Sequence, residues 1–180
     1  MRRPMTVLSG LLAMVALSHA QVDGTNIPSK YGAPLASQTN YTGFGDRADA
    51  NQSWGSELNQ LFVKCVNGAL YIGITGNLEG NGNSIHLYID TGRSSSNAFT
   101  LDTGCINCSV QGMSGVLFDH DPDYALGVNR FDDGQGNDNI YIDLHDLVNN
   151  QSEYLGSVAV GAGEGTVNQG IKAGFDHSNL

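Results

Sequence analysis

The chain has 180 residues, with 18 acidic against 8 basic side chains and a formal net charge of −10. No cluster of Lys and Arg breaks that balance, so the surface repels phosphate backbones and a nucleic-acid-binding role is excluded. Hydrophobic residues reach 40%, enough to build the core of one domain and too many for a wholly disordered chain.

Residues 1–20 read as an export signal. Arg2 and Arg3 give a short positive start, residues 7–17 are apolar, and Ser18-His19-Ala20 places small residues at a cleavage site. The apolar run is well short of the ~20 residues that span a bilayer. No later stretch approaches that length, so no membrane span is expected. The exported chain is predicted to start at Gln21, to be secreted or held at the cell surface, and to form a single domain over 21–180.

From Gln21 to Glu57 apolar residues are sparse, and one edge strand is predicted near residues 34–38. The period then becomes two. Residues 61–66 and 69–75 flank Asn67-Gly68, a dipeptide that accepts the positive φ angles of a type I′ hairpin turn. Leu70, Ile72 and Ile74 alternate with Tyr71, Gly73 and Thr75. Ile85, Leu87 and Ile89 alternate with His86, Tyr88 and Asp90. Residues 91–115 form a long Ser-, Gly- and Asn-rich loop, followed by a short strand candidate at 116–118 and another at 124–131. Ile140, Ile142 and Leu144 then alternate with Tyr141, Asp143 and His145, and a last strand is read at 154–161. The best helical window, 146–154, is short and polar. Strands with one apolar and one polar face, separated by Gly, Asn and Asp turns, predict an all-β protein, an antiparallel β-sandwich.

Export also governs the cysteines. In an oxidising compartment a structural disulfide is the expectation, either Cys105 with Cys108 or one of these with Cys65, leaving one thiol over. Zinc and thioredoxin-type chemistry are the weaker alternatives. The Cys-x-x-Cys lies in a polar loop without a helix start, and its spacing to His86, His120 or His145 is unlike a zinc site.

Several short motifs resemble one family when taken as a set. Val22-Asp23-Gly24-Thr25, Tyr31-Gly32-Ala33-Pro34-Leu35-Ala36, Gly43-Phe44-Gly45-Asp46, Gly55-Ser56-Glu57-Leu58, Gly76-Asn77-Leu78-Glu79, Ile89-Asp90 and Asp123-Tyr124-Ala125-Leu126 are similar to an uncharacterised family of exported bacterial proteins, whose members often end in a PEP-CTERM sorting tail. The opening pattern also resembles family-9 carbohydrate-binding modules, which implies a jelly-roll-like sandwich at the level of fold. Relatives continue past the position of Leu180, so the resemblance implies a sandwich truncated at its C-terminus. The Cys-x-x-Cys departs from the family pattern.

No Gly-x-Ser-x-Gly elbow, His-Glu-x-x-His or phosphate-cradling loop is present, and a non-enzymatic chain is expected. Two ligand classes remain. Tyr71, Tyr88 and Tyr141 fall on polar strand faces beside His86 and Asp143, and Trp54 offers a further ring. Flat rings beside hydrogen-bonding groups suit carbohydrate, so the leading reading is a binding or surface-structural module for an extracellular glycan or cell-surface polymer. The alternative is a structural domain stabilised by Ca²⁺, with no other cofactor. Asp132, Asp133, Asn137 and Asp138 pack oxygen ligands around two glycines there. The same composition also makes an ordinary hairpin turn.

Overall fold

The computed structural model describes residues 22–40, 55–93, 96, 98, 113 and 115–176. The signal segment, Trp54, Cys105 and Cys108 lie outside the described residues. The chain is predominantly antiparallel β-structure with very little helix. A short helix, α1 (Ile27–Tyr31), precedes β1 (Ala36–Ser37), β2 (Glu57–Val66), β3 (Ala69–Asn77) and β4 (Asn81–Ile89). Then come β5 (Tyr124–Asp132), β6 (Asp138–Asp146), β7 (Gln151–Ala159), β8 (Gly165–Thr166) and β9 (Lys172–Ala173). They form a three-stranded sheet in the order β1-β2-β3, a four-stranded sheet β4-β5-β6-β7 and a two-stranded ribbon β8-β9.

Local chemistry accounts for the hairpins. Asn67 and Gly68 both take positive φ, 52° and 78°, so the β2–β3 turn has the mirror-image twist that joins two strands tightly. The predicted edge strand is β1, which pairs Ala36 with Leu61. By contrast, 116–118 makes only an isolated bridge, Ala98 to Leu117. The 146–154 window is the turn into β7 and the first part of that strand. Asp146 caps the turn by accepting from the Asn149 backbone N–H at 3.0 Å and its side-chain amide at 2.9 Å.

The main core lies on one face of the four-stranded sheet. Ile140, Ile142, Leu155 and Val158 are buried there with Val167 from the segment after β8. Leu126, Val128, Leu144, Val160, Ile171, Ala173 and Phe175 complete the cluster, so the C-terminal ribbon covers this face. Burying side chains of this size stabilises by ~1.5–3 kcal/mol each. The backbone of residues 22–24 crosses residues 174–176 too closely for side chains. A Cβ on Gly174 would lie 2.2 Å from the Val22 carbonyl oxygen, and one on Gly24 would lie 2.4 Å from the Asp176 nitrogen.

Two sequence motifs meet at the top of β2 and β3. Ser56 Oγ accepts from the Asn83 side chain at 2.9 Å and from the Glu79 backbone N–H at 3.1 Å. Glu79 in turn accepts from the Gly55 N–H at 2.7 Å. Asp23 accepts from both Thr25 donors and pairs with Lys30, and this holds its carboxyl down at about 2. Arg130 fastens β5 to the β3–β4 connection. Its guanidinium donates to the Leu78 carbonyl at 2.7 Å and grips Asp138 through two bonds of 2.9 and 2.7 Å.

The three-stranded sheet is turned opposite to the simple expectation. Phe62 is fully buried, and its face carries Tyr71, Gly73 and Thr75, onto which Ile27 and Tyr31 of α1 pack. Leu70, on the other face, is 53% exposed, and Val63 is exposed beside it. Helix α1 supplies the apolar cover, and only the Gly73 side leaves room for it. A Cβ there would already meet Ile27 at 2.6 Å.

Candidate functional site

The second face of the four-stranded sheet is built as a grid. Register places Ser84, Asn129, Tyr141 and Ser157 in one row across β4, β5, β6 and β7. The next row is His86, Gly127, Asp143 and Tyr154. The third is Tyr88, Ala125, His145 and Ser152. Rows of this kind lie ~6.7 Å apart along the strands, and neighbours within a row ~4.8 Å apart. Four residues proposed for sugar binding (His86, Tyr88, Tyr141 and Asp143) therefore share one surface. Tyr71 does not join them. It lies on the three-stranded sheet, edge-on to Tyr31 with ring centroids 6.4 Å apart.

Gly127 sits near the middle of the grid and supplies no side chain. A Cβ there would lie 3.8 Å from His145 Nε2 and 3.9 Å from the Asp143 Cβ, which is ordinary contact. The glycine, itself buried, therefore leaves a covered notch between His86 on one side and Asp143 on the other. At one end the notch is walled. Tyr88 packs on Phe118 with ring centroids 4.6 Å apart, and Met113 and Leu147 close over Ala125. At the other end, Tyr154 is 52% exposed directly across from Asp143.

Burial sets the electrostatics of this surface. His86 is half-buried, and desolvation pulls its pKa below the ordinary histidine value. His145 is only 1% exposed. Burial, with a smaller contribution from His86, lowers its pKa too. Both imidazoles are thereby held toward the neutral form, and His145 Nδ1 is 2.8 Å from Ser152 Oγ, which fixes its ring. Burial has the opposite effect on the acids. It raises the Asp143 carboxyl and the Tyr88 hydroxyl above their usual values. The half-buried His86 imidazole and Asp143 carboxyl, with the Tyr141 and Tyr154 rings, form a hydrogen-bonding and stacking surface, and the buried His145 lies beneath it.

Among the grid members that the sequence pattern does not mark are Tyr154, Gly127 and Ser152. Leu155 and Val158 are three residues apart, yet both are buried in the core, while Tyr154 lies on the grid. A β-bulge at this point in β7, opposite Ile142 and Asp143, shifts the alternation. Two-residue counting from Leu155 and Val158 gives conflicting faces, which is the only trace the bulge leaves in the sequence.

The other predicted residues lie elsewhere. Asp132 to Asp138 form the β5–β6 hairpin, and its oxygens are engaged in the turn. Asp132 accepts from the Gly134 N–H at 2.8 Å, while Asp133 accepts from the Gln135 and Asn137 N–H groups at 2.7 and 3.1 Å and from the Asn137 side chain. Asp138 is held by Arg130. Among the described residues, no three His, Cys, Asp or Glu side chains stand where they could hold a metal ion. In this structure these four side chains bond within the hairpin and to Arg130. Asp123 is fully buried and accepts from the Thr91 and Arg93 backbone N–H groups at 2.6 and 3.1 Å, anchoring the start of the long loop. Cys65 is exposed on β2 with a free thiol.

No helix among the described residues is long and apolar enough to cross a membrane. No family model, curated protein or solved structure matches the chain.

Proposed function

We propose that this chain is an exported, non-catalytic binding module that takes a carbohydrate of an extracellular glycan or cell-surface polymer on the β4–β7 face. The observation that carries the reading is the middle row, His86–Gly127–Asp143–Tyr154. It sets a side-chain-free notch between polar groups, with an exposed ring at its rim and Tyr141 one row away. Sugars present apolar ring faces edged by hydroxyls, and a site of this make-up answers both. The surrounding negative charge argues against anionic ligands.

A glycan array probed with the protein tests the reading, followed by titration of the best hit. Tyr141→Ala and Tyr154→Ala are each expected to weaken binding about two- to tenfold, the worth of one stacked ring. Tyr71→Ala, on the other sheet, should leave affinity unchanged. An array with no hits, or hits indifferent to Tyr141 and Tyr154 alike, refutes the proposal.

A further inference from the structure

Asp143 is the only acid in the three rows, and no hydrogen bond or ion pair reaches it from the described residues. Most other part-buried carboxylates have partners. Asp138 is gripped by Arg130, Asp146 by Arg93 and Asn149, Asp23 by Lys30, and Asp123 by the backbone at Thr91 and Arg93. The titratable groups that share the platform with Asp143 are His86 and Tyr88 from β4, His145 and Tyr141 from β6, and Tyr154 from β7. The two imidazoles are biased toward neutrality by burial, and a phenol never carries positive charge, so none supplies a counter-charge. A carboxylate taken partly out of water without compensation is destabilised, and a bound cation removes that cost. Aromatic ring faces add attraction for an ammonium group.

We infer that the ligand is cationic: an amino sugar whose protonated amine pairs with Asp143 while its ring lies toward Tyr141 and Tyr154. This rests on the platform being a sugar site, and it fixes the charge of the sugar. Neutral N-acetylated sugars would make the stacking contacts without the ion pair. The net charge of −10 further concentrates cations near the surface.

The test is calorimetric titration of the protein with a glucosamine oligomer and with the N-acetylglucosamine oligomer of equal length. The free-amine oligomer should bind at least ~tenfold tighter at low salt, the worth of one charged hydrogen bond. That advantage should shrink as salt rises and vanish in Asp143→Asn, while Asp119→Asn, an exposed acid off the platform, keeps it. Asp143→Asn should melt no lower than the parent protein, since it removes a desolvated charge. Equal affinity for the two oligomers, or an amine preference that survives Asp143→Asn, overturns the cation assignment and leaves the sugar platform standing. Failure of both oligomers together with an empty glycan array overturns both. An oligolysine peptide that binds as tightly, with the same dependence on Asp143, reassigns the site to a cationic peptide and overturns the sugar.

Discussion

Gly127→Ala should make the protein more stable while weakening its ligand binding. The backbone at Gly127 is absent from the positive-φ positions, so alanine fits its conformation without strain. The added methyl would find its nearest neighbours at 3.8, 3.9 and 4.0 Å, namely His145 Nε2, Asp143 Cβ and the Asp143 carbonyl oxygen. No atom has to move. What remains is the lower conformational entropy of the unfolded alanine chain and better strand formation, together about 0.5–1 kcal/mol in favour of the variant. For a domain of this size that is a rise in melting temperature of ~1–4 °C. Gly73→Ala is the contrasting control, because its methyl would meet Ile27 at 2.6 Å. Overpacking of that kind costs ~1–3 kcal/mol. Thermal and urea unfolding of the two variants, followed by circular dichroism, measures both signs. A fall in stability for Gly127→Ala comparable to that of Gly73→Ala would show that the notch is not free space, and the site would lose its defining feature.

Arg130→Met should cost about 3 kcal/mol by urea midpoint, because it strips Asp138 and the Leu78 carbonyl of their partner in a largely buried setting. Arg130→Lys should recover only part of this, since an ammonium cannot reproduce the two-pronged grip; a loss under ~1 kcal/mol for the Met variant refutes the fastening role. Stability should also fall on acidification below about pH 6.5. His86 and His145 have folded-state pKa values below the unfolded value of 6.5, so the unfolded chain takes up protons first, and the loss grows until the folded-state values are passed. His145→Asn should flatten that slope, and a wild-type urea midpoint constant between pH 7 and 5 contradicts it. Asp143 acts in the other direction, its penalty easing as pH falls through its raised pKa toward 3.8. Asp23 loses its stabilising pairing only as pH drops from 3.8 toward about 2.

The amino-acid order by itself determined the β-strands and their turns. Period-two stretches became β2 to β7, Asn67-Gly68 became a tight turn, and Asp132 to Asp138 closed a hairpin, because side-chain alternation and φ preferences are local properties. It also placed His86, Tyr88, Tyr141 and Asp143 on polar faces, and strand pairing then brought those faces together. Tertiary structure alone decided which face of each sheet is covered. Tyr71 and Tyr141 look alike in the sequence, yet one packs beside Tyr31 and the other joins the platform. The bulge that brings Tyr154 opposite Asp143 and the packing of Ile27 against Gly73 are set by segments far apart in the chain. Alternation records that two faces differ; only the partner that arrives fixes which one is buried.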